Sequence, residues 1–388
     1  MKQMVTRILI YFFHLFPIKT NKIFLFSYYG GNYGCNPKYI SKFIAEHDRN
    51  DNYDVVWAFH DPDAKQELNH IRKVKTMSIK YFYELCTARI VITNYRTTDL
   101  FVKRKNQYYI QTWHSSLRLK QIEKDAANVL GTEYIEIAKK DSRKCDLLLS
   151  GCADSTAIFR NAFWYDGEIF EHGTPRNDVL FKTTPNHRVN IRKELNIEPD
   201  TKVLLYAPTF RKNNDVSVYE LNWKRITERL KKSFGNDWVV LVKLHPHLIH
   251  QSSQLIYENN VMDVTSYDDI QELLLISDVL ITDYSSLMFD FAITKRPCFL
   301  YIPDVEAYTK QDRKLYFNIR ELPFISATSE ENLIGEIKTF DRRKYEKNIR
   351  HFLDKTGSFE QGKASEFLME RIEAICFGEQ RRELDEAV

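Results

Sequence analysis

Glycine-rich nucleotide signatures are missing from this 388-residue chain. Neither G-x-G-x-x-G nor G-x-x-x-x-G-K-[ST] occurs, so the usual dinucleotide and P-loop readings lose their main support. Glycine (12) and proline (11) are scarce while hydrophobic residues reach 43%, which excludes a linker-like or disordered chain and supplies substantial cores. The six cysteines, Cys35, Cys86, Cys145, Cys152, Cys298 and Cys376, form no C-x-x-C and no pairing with histidine at metal spacing. They read as reduced, mostly buried thiols of a cytosolic protein. No carboxylate pair of the D-x-D kind stands out at a strand end, so no tightly held metal is expected. A net charge of +3 is too small for this length to argue for nucleic acid. No fixed-period repeat is present, which excludes a solenoid.

Long apolar runs are lacking too. The stretch 8–16, bounded by Arg7 and Pro17, falls short of the roughly 20 residues that span a bilayer. No small-residue cleavage site follows it, which argues against a signal peptide. Its aromatic segment Tyr11-Phe12-Phe13-His14-Leu15-Phe16, flanked by Lys2, Arg7, Lys19 and Lys22, suits an interfacial helix on an anionic membrane. A helix covering the first domain's sheet suits it equally well.

What the chain does have is a strand pattern that runs twice. Apolar runs at 21–27, 54–59, 89–93, 108–113 and 146–150, with a weaker one at 168–172, are separated by helix-compatible stretches such as 37–46 and 133–143. After a polar linker at 182–186 and a basic helix at 187–195, strands are predicted at 202–207, 238–244, 279–282 and 298–302, with helices at 269–276 and 285–294. Continuous apolar strands alternating with helices imply parallel sheets covered on both faces. The expectation is therefore α/β: two Rossmann-like domains, 21–185 and 186–388, behind an interface helix at 1–20, with the helix at 364–375 packing back across the junction. Such sheets bind ligands at the carboxyl ends of their strands.

Chemistry-bearing residues collect at those ends. Trp113-His114-Ser115-Ser116 follows one strand and sets a histidine where a base could meet a hydroxyl; a loop histidine held by hydrogen bonds would look the same. Pro208, Thr209 and Arg211 follow another strand, Arg211 bringing a fork suited to phosphate. In Lys243-Leu244-His245-Pro246-His247, period-2 alternation puts Lys243, His245 and His247 on one side, as a pyrophosphate site or as a solvated strand terminus. In the stretch 282–290, Ser285 and Ser286 open a helix where N–H groups attract phosphate, and Asp290 lies one turn on, placed to hold a sugar hydroxyl. Serine is also an ordinary N-cap.

These residues resemble the CDP-glycerol-dependent glycerophosphotransferases of teichoic acid and capsule synthesis. The matching stretches are Gln111-Thr112-Trp113-His114, Ala162-Phe163-Trp164-Tyr165-Asp166-Gly167, Pro175-Arg176-Asn177-Asp178 and Ala207-Pro208-Thr209-Phe210-Arg211. Lys243-Leu244-His245-Pro246-His247, Thr282-Asp283-Tyr284-Ser285-Ser286 with Asp290, Asp312-Arg313, Leu322-Pro323-Phe324 and Gly362-Lys363-Ala364-Ser365-Glu366 complete them. They keep the family's order over nearly the whole chain. The resemblance implies a glycosyltransferase-B-like pair of domains facing across a cleft, with His114 and His245 catalytic. It puts the nucleotide near Arg176, Pro208, Thr209, Lys243, Leu244, Ser285, Ser286 and Asp290. One departure stands out: the family's glycine-containing turn after the first histidine is here Ser115-Ser116, which predicts a more restricted backbone and less room for the acceptor.

The activity implied is transfer of glycerol phosphate from CDP-glycerol, the CDP-alditol donor, to a lipid-linked saccharide or polyol-phosphate acceptor. It would take place at the cytoplasmic face of the bacterial membrane by peripheral attachment, with Mg2+ a candidate companion of the diphosphate. A CDP-ribitol-dependent transferase and a sialyltransferase-like, CMP-sugar-dependent glycosyltransferase are the alternatives on a similar fold; His-Pro and Ser-Ser pairs also hold CMP in the latter class. A non-catalytic scaffold of a wall or capsule assembly complex is the reading from another class.

Overall fold

The computed structural model describes residues 2–182, 185–211, 220–245, 248, 260–311 and 313–385. Residues 183 and 184 of the expected linker fall outside that set, as do Pro246, His247 and Asp312. The chain divides into two compact units. The first comprises Met1–Ser116, Ile122–Asp178 and Phe359–Val388, and the second Leu117–Gln121 and Val179–Ser358.

The first unit holds β1 (Lys19–Phe26), β2 (Asp54–Phe59), β3 (Arg72–Lys75), β4 (Ala88–Thr93), β5 (Tyr108–Gln111), β6 (Leu147–Leu149) and β7 (Glu168–Phe170). They pair in the order β3-β2-β1-β4-β5-β6-β7, parallel throughout. The second unit holds β8 (Lys202–Tyr206), β9 (Trp238–Val242), β10 (Val261–Asp263), β11 (Val279–Thr282), β12 (Cys298–Tyr301) and β13 (Ile325–Ala327). Their order, again all parallel, is β10-β9-β8-β11-β12-β13. Central strands are buried on both faces, as with Ile23, Phe24 and Leu25 or Val203, Leu204 and Leu205; hence their unbroken apolar runs. Strand order reverses between β1 and β4 and between β8 and β11. Doubly wound sheets open a crevice at such points.

The sequence reading missed β3, β10 and β13. All three are sheet edges, and each buries a single residue fully, so none carries an apolar run to detect.

The last helix, Ala364–Asp385, belongs to the first unit. Leu368, Ile372 and Cys376 enter one core with Ile23, Leu25, Ile40, Trp57 and Ile90. Its start is capped from afar, since the Asp178 carboxylate accepts the N–H of Ala364 at 3.0 Å and of Ser365 at 2.7 Å. The N-terminal helix, Lys2–Phe13, buries Ile10 and Phe13 against Phe82 and Cys86 while Met4, Val5, Ile8, Tyr11 and Phe12 stay exposed, as does Leu15 just beyond it. Lys22 does not flank a membrane face as expected. It lies fully buried in β1, its Nζ donating to Glu84 Oε2 at 2.5 Å and Thr87 Oγ1 at 2.8 Å. Among the described residues no helix is long and apolar enough to cross a membrane, and all six cysteines are free and buried.

Candidate active site

In the second unit, the loops after β8 and β11 flank the switch point and are laced together. Thr282 Oγ1 donates to Ala207 O at 2.6 Å. Asp283 Oδ1 accepts from the Thr209 N–H at 2.8 Å, the Thr209 hydroxyl at 2.6 Å and the Tyr284 N–H at 2.6 Å. Pro208 is buried between these anchors. Arg211 is turned inward, which corrects its reading as an open phosphate fork. Nε and Nη2 donate to Asp304 at 2.7 and 3.2 Å, Nη1 lies 2.9 Å from Asp283 Oδ2, and its guanidinium packs on Tyr284 and Tyr308. Burial opposes its charge, but the two aspartates outweigh it and raise its pKa. A buried cation needs such partners, so Arg211 braces the two loops.

The loop after β9 also differs from the alternation expected, because the strand ends at Val242. Lys243 Nζ folds back to donate to Thr265 O and Tyr267 O, both at 2.6 Å. Burial lowers its pKa to about 8 against the opposing pull of Asp268, Asp263 and Asp269. Leu244 is buried and its N–H donates to Thr265 Oγ1 at 3.1 Å. His245 is exposed, its ring 5.7 Å from that of Phe210.

At the end of β11, Ser285 Oγ accepts the Leu287 N–H at 3.3 Å and so caps the helix Leu287–Ala292. Ser286 stands at the N-cap position yet makes no cap bond; its Oγ accepts the Leu119 N–H at 3.2 Å. Asp290, within that helix, is fully buried.

In the first unit, His114 follows β5 beside the other switch point. Its Nδ1 lies 3.2 Å from Asn94 O, and its ring stacks on Trp113 at 4.6 Å and meets Tyr95 edge-on at 5.1 Å. A carbonyl can only accept, so Nδ1 carries a proton; in the neutral ring Nε2 then holds the lone pair, the tautomer a general base requires. Trp113 holds a left-handed φ of 49°, pinned by its N–H to Gln111 Oε1 at 2.9 Å and by Asn36 Nδ2 on its carbonyl at 3.2 Å. The left-handed backbone therefore falls at Trp113. Ser115 and Ser116 have no positive φ, so the serines stand in that turn without backbone strain. Both serines are buried, and Ser116 O accepts from Ser155 Oγ at 2.5 Å. The nearby glycine that matters is Gly151, where a Cβ would stand 2.6 Å from Ser116 Cα. Arg176 also lies in the first unit, buried, with its N–H on Asn36 Oδ1 at 3.0 Å and Nη1 3.5 Å from Cys35 Sγ.

Sequence reasoning passed over Asp283, Asp304, Asn94 and Asn36 as site residues. Asp283 and Asn94 had a readable signal, a polar residue directly after a strand; the other two did not. One D-x-D pair does follow β2, Asp61-Pro62-Asp63, but Asp61 Oδ1 caps its own turn by accepting from Asp63 N at 3.2 Å and Ala64 N at 3.4 Å. Among the described residues no three His, Cys, Asp or Glu converge as a metal site.

The family model for CDP-glycerol:poly(glycerophosphate) glycerophosphotransferase matches residues 8–374. A teichoic acid poly(glycerol phosphate) polymerase of Staphylococcus epidermidis is 38% identical over 369 residues, covering 92% of this chain and 51% of that protein. The chain thus spans about half the length of that relative. The polymerase of that description from Bacillus spizizenii is 33% identical over 373 residues, covering 92% of this chain and 93% of its own. Among solved structures, a histidine-to-asparagine variant of the wall teichoic acid polymerase TagF soaked with CDPG has a TM-score of 0.84 at 35% identity, covering 97% of this chain and 95% of that one.

Proposed function

The chain belongs to the CDP-glycerol:poly(glycerophosphate) glycerophosphotransferase family, and from that membership we propose that it moves glycerol phosphate from CDP-glycerol to a hydroxyl of a teichoic acid or capsule acceptor, releasing CMP. The observation that carries the reading is His114: a strand-end imidazole with its Nδ1 proton given to Asn94 O and its Nε2 lone pair the basic site.

In the proposed mechanism the acceptor oxygen attacks the phosphorus bearing the glycerol. A P–O bond forms to the acceptor, the P–O bond to CMP breaks, and the hydroxyl proton passes to His114 Nε2. Such transfers need positioning and charge stabilisation more than covalent help. We assign the stabilisation of the departing CMP phosphate to His245, Lys243 and the Ser285-Ser286 turn in the second unit. Thr209, Pro208, Leu244 and the Arg211 brace shape that surface, and Asp290 supports it from within the second unit; Arg176 is assigned to substrate binding in the first unit. A Mg2+ arriving with the diphosphate would be held by phosphate oxygens and would help neutralise them.

The acceptor is proposed to be lipid-linked, with the enzyme attached peripherally at the inner membrane face through the exposed apolar side of the helix Lys2–Phe13. CMP release from CDP-glycerol, CDP-ribitol and CMP-sugars, with lipid-linked disaccharide and glycerol-phosphate acceptors, tests the reading. Release from CDP-glycerol alone, with acceptor extension, is expected. Preference for CDP-ribitol or a CMP-sugar would reassign the donor, and binding without release would make the protein a scaffold.

A further inference from the structure

A cavity of about 190 Å3 opens in the first unit at the carboxyl ends of four neighbouring strands. Phe26 ends β1, His60 follows β2, Thr76 follows β3, and Arg96 lies just beyond β4. The walls carry the rings of Phe26, Tyr29, Tyr81 and Phe101. Nothing in the transfer chemistry above uses them.

Its wall is shaped by a strained loop. Tyr28 and Tyr29 have φ of 48° and 57°, and Gly30 follows at 101°. Gly30 is required there, since a Cβ would stand 2.4 Å from Thr76 Cγ2 and 3.2 Å from Ala58 O. Two consecutive non-glycine residues in the left-handed region are costly, and strain of this kind clusters at ligand sites. The result is Tyr29, about half exposed (48%) at the cavity, its ring 5.0 Å from Tyr95. Tyr95 in turn lies 5.1 Å from the His114 ring. A continuous aromatic ridge therefore leads from the cavity to the proposed base in two ring-to-ring steps.

The wall chemistry narrows the ligand. Arg96 does not make this an anion site, because Glu123 Oε2 lies 3.2 Å and Asp141 Oδ2 3.3 Å from its guanidinium nitrogens. His60 and Thr76, bonded at 3.0 Å, sit among the rings, and a hydrocarbon tail would strip such polar groups of water without replacing it. The volume is below the roughly 300–1,000 Å3 of sites for drug-sized ligands, a size suited to a single ring. Aromatic faces with a few polar groups match a pyranose, whose C–H face lies on an aromatic ring while its hydroxyls hydrogen-bond. We infer that this cavity is a subsite for one neutral sugar ring of the acceptor, with the ridge Tyr29–Tyr95 leading the reacting end to His114. The inference rests on the proposed function.

Saturation-transfer NMR on the full chain, without donor, tests it with methyl glycosides of the common hexoses and their 2-acetamido forms, glycerol 1-phosphate serving as the charged control. At least one glycoside should bind, Tyr29→Ala should weaken it by about tenfold or more, and Tyr29→Phe should retain it. In turnover, Tyr29→Ala should raise KM for a sugar-bearing acceptor with CDP affinity and melting temperature unchanged. The subsite is overturned if no glycoside binds, if Tyr29→Ala leaves binding intact, or if it instead weakens binding of glycerol 1-phosphate or of anionic vesicles. Absence of CMP release by the wild type would sink the proposed function while leaving the glycoside result to judge the cavity.

Discussion

At the scale of single residues, His114 and Lys243 make opposite use of burial. His114 is half-buried, its Nδ1 occupied by a main-chain carbonyl, so substitution should strike chemistry more than folding. His114→Ala is expected to lower turnover by about 10²- to 10⁴-fold, the usual worth of a general base, with CDP affinity by calorimetry nearly unchanged. Lys243 is buried enough to hold its pKa near 8, below the value of an exposed lysine. The unfolded chain then binds more protons between pH 8 and about 10.4, so the lysine's cost to stability is present at neutral pH and lifts as pH rises through that window. Its charge favours a diphosphate only while protonated. CDP affinity should therefore fall above pH 8 by up to about tenfold per pH unit, the slope of one linked proton. Lys243→Met should bind more weakly at pH 7 and lose that slope; an unchanged slope would assign the titration to another group.

At the scale of elements, the N-terminal helix divides its apolar residues between two tasks. Ile10 and Phe13 are packed on Phe82 and Cys86, whereas Ile8 and Phe12, and Leu15 just beyond the helix, are exposed. Deleting the segment would confuse the two. Glutamate at Ile8, Phe12 and Leu15 together keeps the packed face and reverses the exposed one. This variant should lose sedimentation with anionic vesicles while its melting temperature stays put. The wild type should be released only partly by salt, since each basic residue near the surface adds about 1 kcal/mol that salt screens. Retained vesicle binding by the triple variant would remove this helix as the anchor.

For the whole molecule, connectivity and stability are interleaved. The first unit is completed only by residues from Phe359 onward, through Leu368, Ile372 and Cys376 in its core and the Asp178 cap on the final helix. Truncation after Ser358 should remove several buried side chains at once, each worth about 2–5 kcal/mol on large-to-small replacement. That exceeds a typical domain's margin. Hydrogen exchange should then show protection lost across β1 to β7 and kept across β8 to β13. Equal loss in both sheets would mean that the units fold as one.

The amino-acid sequence by itself determined the class of fold and the strand ends at which most of the proposed site residues lie. Central strands are apolar throughout because both faces are buried, and the residue after such a strand is local in sequence, so His114, Thr209 and Ser285 could be located by reading along the chain. Edge strands such as Arg72–Lys75 bury too little to leave a pattern. What those residues do was decided by partners far along the chain. Arg211 meets Asp283 and Asp304, Ser286 meets Leu119, Lys22 meets Glu84, and Tyr29 meets Tyr95. No local rule predicts such pairs, because strand order and loop closure set them in space. The physical reason is that periodicity reports how a segment faces its own core, whereas the environment of a charge or a ring depends on which other segments the sheet brings beside it.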